Sequence, residues 1–499
     1  MIVSAPVFHQ ISAALLALLV PHAASASEAP DGKPSHTCCD GNAAAGADTP
    51  APADPYPVMA AGWGPELSGG LMVSRWAEDW SRVKEHGLAP SLKAIPVGAT
   101  AELTFSGEAR LRYFSAENAQ LTRTHDLQQA QLRAVVGADL RVNPYLRFYG
   151  EFGVGQVDQR SSAATANFQN DLALQQIFVD LRGHLASTLL GAMIGRQEFS
   201  DGPRQLISLS DGPNLHRSWN GVRLYAHGAR ARFGAFDLRA TRLGRGAFDE
   251  TVTRAEKLQG LNASFTVSPG AGPNTYLEPF WIHSENPAFR VGSRIGRDDR
   301  DTVGVRLWGR QGPLRFDWTV ARQSGRSIDD RRINAWGLFG VQSLVLSESG
   351  WKPKLTSHID VASGGGAYGA GALREFNPLY ASSNYLGESQ FLTLSNLVMV
   401  APGITLSPTP RVTLSLEYGY AWRLQAKDAV YAGGMRAYPG AQNVPGHYIG
   451  GLTRLSGSWV LSRRLTLFGN LEHLDAGDVL NRAGLPSATY SYLSATYRY

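Results

Sequence analysis

From residue 101 onward the chain alternates. In AELTFSGEARLRYF (101–114), Leu103, Phe105, Ala109, Leu111 and Tyr113 share one face, and Glu102, Thr104, Ser106, Glu108, Arg110 and Arg112 share the other. QLRAVVGADLRV (131–142) repeats the pattern. YLRFYGEFGV (145–154) then sets Leu146, Phe148, Phe152 and Val154 against Arg147, Tyr149 and Glu151. A period of two marks a strand with one apolar and one polar face. These runs exceed the usual globular strand of about five or six residues, and approach the length that crosses a bilayer at a tilt.

The same reading places further strands near 173–183, 187–199, 218–228, 230–242, 257–268, 274–284, 301–310, 313–323, 333–346, 353–362, 391–407, 411–423, 446–460, 464–475 and 488–499. Those near 187–199, 333–346 and 446–460 alternate weakly. Every second connection is tight: 143–144, 183–186, 227–229, 268–273, 311–312, 347–351, 408–410 and 461–464. Those between are mostly longer: 115–128, 157–172, 200–217, 243–256, 285–300, 324–332, 363–390, 424–445 and 476–487. Short turns alternating with long loops over an even number of strands predict an all-β fold: a transmembrane antiparallel up-and-down β-barrel of about 18 strands. Both termini then lie on the periplasmic side. The chain ends in SYLSATYRY (491–499), where Leu493, Ala495, Tyr497 and Tyr499 share a face. That last strand is expected to pair with the first and close the barrel, which leaves no edge in lipid.

The first hundred residues read differently. ISAALLALLV (11–20) followed by Ala24-Ser25-Ala26 predicts a signal peptide over 1–26 and export to the outer membrane of a Gram-negative bacterium. Residues 27–60, rich in Ala and Pro, predict a disordered linker. Cys38 and Cys39, the only cysteines, lie within it, so the fold does not depend on disulfides. Residues 61–100 form a periplasmic N-terminal segment. In it SRWAEDWSRVKEHG (74–87) spaces Trp76, Trp80 and Val83 as in a short amphipathic helix. The barrel occupies 101–499.

Composition adds one strong fact. The net charge of +5 is small for 499 residues and calls for no nucleic-acid partner, but the chain has 40 arginines and seven lysines. A guanidinium is always charged and matches carboxylates and phosphates bidentately. On the polar strand faces stand Arg110, Arg112, Arg133, Arg141, Arg147 and Arg182, then Arg223, Arg239, Arg306, Arg310, Arg315 and Arg423. Glu108, Asp139, Glu151, Asp180 and Asp237 share those faces. A charge on the lipid side costs about 2–4 kcal/mol at midplane, so these side chains are expected to line the lumen. They could brace neighbouring strands as ion pairs, or attract anionic solutes. Trp219, Tyr225 and Trp308 on the same faces could stack on sugar rings or fill space. GGGAYGAG (364–371) lacks the Lys-Ser/Thr of a phosphate loop, and no metal-ligand spacing occurs in the barrel. No cofactor and no enzymatic activity are expected.

Three stretches resemble the alginate export family of outer-membrane proteins: RWAEDWSRVKEHG…SLKAIPVGATAELTFSGEARLRYF (75–114), GRQEFSDGPRQLISLSDGPNLHRSWNGVRLYA (195–226) and FNPLYASSNYLG (376–387), the last followed by YAWR (420–423). The resemblance implies an eighteen-stranded monomeric barrel that exports an anionic polysaccharide through an arginine-rich constriction. It implies that Tyr497 and Tyr499 are read by the barrel-assembly machinery, and that periplasmic export components are possible partners besides lipid. Because the periplasmic turns are short, the segment before the barrel is the candidate for a plug. Uptake of small organic anions or oligosaccharides, and a surface-structural or adhesive role, remain the alternatives.

Overall fold

The computed structural model describes residues 70–80, 90–158, 164–200, 205–267, 275–382 and 384–499. The expected signal peptide, the linker with its two cysteines and residues 81–89 lie outside the described residues. Eighteen antiparallel strands form one closed sheet. They are β1 Ala101–Glu117, β2 Leu127–Asn143, β3 Leu146–Val157, β4 Asn170–Leu185, β5 Thr188–Glu198 and β6 Ser218–His227. β7 Ala231–Arg242, β8 Thr251–Thr266, β9 Thr275–Val291, β10 Arg294–Gln311, β11 Leu314–Ser327 and β12 Arg331–Val345 follow. The last six are β13 Lys354–Ala362, β14 Leu397–Thr409, β15 Val412–Trp422, β16 Tyr448–Val460, β17 Leu465–Ala476 and β18 Ala488–Arg498. Each pairs with its neighbours in chain order, and β18 pairs with β1 from Thr489↔Glu117 to Arg498↔Glu108.

Closure is a physical necessity, since a backbone N–H or C=O in hydrocarbon has no partner but another strand. The seam shows how it is completed. Tyr499 exchanges both backbone hydrogen bonds with Gly107, at 2.8 and 2.9 Å. The rest of β1 runs past the chain end, and the N-terminal segment covers it: the Phe105 amide donates to the Leu92 carbonyl, and Ile95–Val97 pairs with Ala101–Leu103. The Tyr499 side chain is buried, bonded to Ser91 and lying beneath the Lys93 and Arg464 cations.

The outer surface is apolar where lipid touches it. Leu111, Phe152, Ile177, Leu224, Leu261, Val305, Trp318, Leu338, Leu416 and Leu493 are all exposed. The largest apolar cluster lies inside. Trp219, Leu238, Leu258, Phe339, Met399 and Leu452 point inward from the wall onto the loops β5–β6 and β13–β14, which fold into the barrel and contribute Leu206, Ile207, Phe376 and Tyr380. The two loops are joined by hydrogen bonds from Ser208 N to Tyr380 O and from Tyr380 N to Leu206 O. This core explains the weak alternation of β12 and β16, whose inward positions such as Phe339 and Leu452 are apolar too; in β5 the inward Met193 packs instead in a separate cluster with Trp76.

Two expected loops are absent. Residues 285–300 are strand, turning at Gly292-Ser293, and 324–332 narrows to a single turn at Ile328–Asp330 between β11 and β12. Paired strands simply continue above the membrane there. The helix expected at 74–87 is also corrected over its described part: only Arg75–Ala77 forms a turn of 3₁₀ helix, and Glu78 is extended. Carbonyls that a helix would consume are taken by wall arginines instead, Trp76 O by Arg147 and Glu78 O by Arg141.

Deleting Tyr499, or extending the chain past it with charged residues, should lower the yield of heat-modifiable folded barrel on semi-native gels by several-fold. Molecules that do fold should conduct normally, because the lesion is in the seam.

Candidate functional site: a charged lumen behind an N-terminal plug

Residues 70–80 lie inside the barrel against β1–β6. Trp76 packs edge-on to Phe178 at 6.3 Å, beside Tyr149, Met193 and Tyr225. Arg75, 2% exposed, places its guanidinium 2.8 Å from Glu151 and 3.5 Å from Glu108. Ser74 bonds Glu198 at 2.9 Å. Glu78 accepts from Lys93, Trp80 Nε1 and Ser106 at 2.8–3.1 Å. Burial lowers the Lys93 pKa, and burial is opposed there by Glu78.

These contacts decide what the predicted lumen residues do. Glu108 is fully buried and shared by Arg75, Arg133 and Arg498. Asp139 binds Arg147 at 2.7 Å and Arg141 at 3.3 Å. Arg141 also reaches Asp79 at 2.6 Å. Asp180 binds Arg182 and the Tyr225 hydroxyl, each at 2.8 Å. Glu151 adds bonds from Tyr149 and Gln176. Arg223 is buried under the Phe199 ring. On this wall the paired arginines brace strands and hold the plug.

Arg110 and Arg112 hold a loop. Arg110 donates to the carbonyls of Asp211 at 2.8 Å and Pro213 at 2.7 Å, and Arg112 to Gly212 at 3.0 Å. The DGPN stretch (211–214) is thus fixed across the lumen by its backbone. Asp211 also pairs with Arg133 at 2.6 Å and His216 at 2.7 Å, yet its side chain remains 46% exposed. It is surrounded by protein but open to lumen water. The Arg133 and Arg110 guanidiniums hold its carboxyl well below the usual range, against the opposing effect of burial. His216 lies between Glu198 and Asp211, which outweigh burial and nearby Arg133 and push its pKa up to about 9.

The opposite wall is not covered by the plug. Arg315, Lys354 and Arg454 face inward there and touch water, as do Asp317 and Glu417. Arg306 lies deeper, bonded to Glu278 at 2.9 Å and Asp317 at 2.6 Å. Trp308 stacks on Tyr276 with centroids 4.2 Å apart, and Trp219 is wholly buried against Tyr380.

Four predicted positions are corrected. Asp237 and Arg239 face outward, paired across β8 with Gln259 and Lys257, because the inward positions of β7 are Phe236 and Leu238 of the internal core. Arg423 lies one residue beyond β15 and spends its donors on the carbonyls of Asp428, Ala441, Val444 and Gly446, so it shapes the β15–β16 loop. Arg310 is exposed at the periplasmic turn, bonded to Gly312 O. Sequence reasoning missed Arg75, Arg300, Arg454 and His216. Arg454 sits on a weakly alternating strand, and Arg300 in a stretch read as loop. Tyr497 lies opposite Ala109 and Tyr499 opposite Gly107 on β1.

A closed eighteen-stranded barrel with an apolar belt and a polar lumen is an outer-membrane porin of a Gram-negative bacterium. Solved barrels share the fold. The outer membrane protein OpdK of Pseudomonas aeruginosa matches with a TM-score of 0.54 at 13% identity, over 80% of this chain and 98% of that one. A BenF-like porin from Pseudomonas fluorescens Pf-5 matches at 0.53 and 10%, over 79% and 98%. OpdF of P. aeruginosa, solved in complex with glucuronate, matches at 0.51 and 11%, over 79% and 96%. No curated protein matches the sequence. The family model for alginate export matches residues 101–494, and the chain belongs to that family.

Arg75→Ala would leave Glu108 and Glu151 short of a buried partner, a loss of about 3 kcal/mol. The N-terminal segment should become cleavable by added protease while the barrel stays heat-modifiable. His216 should give a pH dependence. Its raised pKa contributes stability that is fully present below its unfolded value near 6.5, and lost as pH rises through about 9. Proteolytic cutting within 205–217 should therefore increase above pH 9, and His216→Gln should remove that dependence.

Proposed function

We propose that this porin conducts anionic substrates, with a uronate polysaccharide of the alginate kind as its exported cargo, and that its role is transport without catalysis. The observation that carries the reading is the wall away from the plug, where Arg315, Lys354 and Arg454 meet water beside Asp317 and Glu417. The three cations that meet water there outnumber the two carboxylates by one; positive potential in a narrow low-dielectric passage concentrates anions, and several weak sites in series let a polymer slide without being trapped. Membership of the alginate export family supports the same cargo. The N-terminal segment then acts as the gate, since residues 70–80 lie in the lumen against β1–β6. A second reading, uptake of small anionic sugars, is favoured by the glucuronate bound in the structurally similar OpdF barrel.

Planar-bilayer recording of the purified full chain tests both. Anion preference with current block by added polyuronate is expected, and Arg315→Gln with Arg454→Gln should move the reversal potential toward zero. Anion preference without polymer block, together with glucuronate flux into liposomes, would favour uptake. Cation preference would overturn both readings, and absence of conductance would leave the structural or adhesive role.

A further inference from the structure

The outward turn of Arg239 and Asp237 is part of a larger feature. Along β7 the outward residues Phe233 and Ala235 are followed by Asp237 and Arg239. On β8 the sequence of outward residues is Leu261, then Gln259 and Lys257. On β9 it is Trp281, then His283 and Glu285. On β10 it is Val303, then Asp301, Asp299 and Arg297. On β11, Val320 gives way to Arg322, Ser324 and Arg326, and on β12 Trp336 gives way to Asn334 and Arg332. Each strand passes from apolar to charged on its way to the loop end of the barrel. The switch coincides with exposed Trp281 and Trp336, the residue type that marks a membrane–water boundary. Trp281 donates from its indole N–H to Asp301 at 2.9 Å, toward the charged side.

The charged region is net basic. Arg239, Lys257, Arg297, Arg322, Arg326 and Arg332 outnumber Asp237, Glu285, Asp299 and Asp301. Two of its arginines are loosely and wetly held: Arg297 is 69% exposed, at 3.2 Å from Glu285 and 3.4 Å from Asp299, and Arg326 is 54% exposed, at 3.2 Å from Asp330, whereas Arg239 and Lys257 are closely paired with Asp237 and Glu285. Exposed pairs of this kind are worth little, so an arginine can exchange a carboxylate for a better ligand at small cost. The better ligand for a guanidinium at a membrane interface is a phosphate, bound bidentately. On the β14–β16 side the outward residues toward the loops are Tyr418, Tyr420 and Trp422, aromatic and uncharged.

We infer that the outward face of β7–β12, beyond its apolar residues, is a docking surface for the phosphate-bearing headgroups of outer-leaflet glycolipid. Arg239, Arg297, Arg322 and Arg326 clasp the phosphates, while Trp281 and Trp336 set the depth of the sugar–acyl boundary. The interaction is independent of what crosses the lumen.

The test uses the full chain refolded into vesicles of zwitterionic phospholipid, with a bisphosphorylated glycolipid or its dephosphorylated form added. Bound glycolipid is counted by native mass spectrometry after release into detergent. The phosphorylated form should be retained, and the variant R239Q/R297Q/R322Q/R326Q should retain at least about tenfold less, from the contribution of each basic residue near an anionic surface. Arg310→Gln, at the opposite rim, should retain it normally. Heat-modifiability of every variant checks that the barrel has formed; if the fourfold variant fails to fold, R297Q/R326Q alone is read. Equal retention of the dephosphorylated glycolipid, or unchanged retention by the variants, would overturn the proposal.

Discussion

Hydrocarbon offers no partner to a peptide group, and that constraint fixes more of this molecule than any side chain does. It forces the strands into a closed cycle and makes Tyr499 structural. β18 ends at Arg498, and Tyr499 exchanges its backbone bonds with Gly107. The start of β1 would be left bare, and the backbone of 92–97 covers it. The N-terminal segment is therefore joined to the barrel at the seam as well as inside the lumen. Its position behind Arg75 and Glu108 follows from a chain that must enter at the periplasmic rim, next to the strand it completes.

Arginine serves three different purposes here. Arg133 and Arg147 answer buried carboxylates, which keeps charged residues inside the barrel without stranding them. Arg110, Arg112 and Arg423 use their several donors on backbone carbonyls, so that long loops with little regular structure hold one shape. A third set, Arg315 and Arg454, meets lumen water on the wall away from the plug. Lysine could not replace the second group, because one ammonium cannot span three carbonyls from a fixed plane.

The strands and their order were legible because lipid imposes an apolar face that water does not. Alternation in β1 and β3 left little choice of register. The side chains were legible only where the opposite face meets water. In β7, Phe236 and Leu238 face an internal core built by distant loops, so the polar side of the strand is the outer one, and Asp237 and Arg239 were read inverted. The plug was visible only as a group of tryptophans needing cover. Its turn at Arg75–Ala77 depends on Arg147 and Arg141 seizing its carbonyls, which no local pattern encodes. Arg454 was hidden for the same reason as Phe339: both strands alternate poorly.

The outer belt is uneven. On β15 the outward residues Val412, Leu414, Leu416, Tyr418, Tyr420 and Trp422 are all apolar or aromatic, whereas on β7 only Phe233 and Ala235 separate Ala231 from Asp237. A bilayer of even thickness fits one flank and not the other. The membrane must pinch beside β7, or the barrel must lean, at a cost of fractions of a kcal/mol per ångström of mismatch. The protein thus has a preferred neighbourhood: short or disordered acyl chains gather on one flank and long ordered ones on the other, so its orientation among other barrels in the plane of the membrane is not arbitrary.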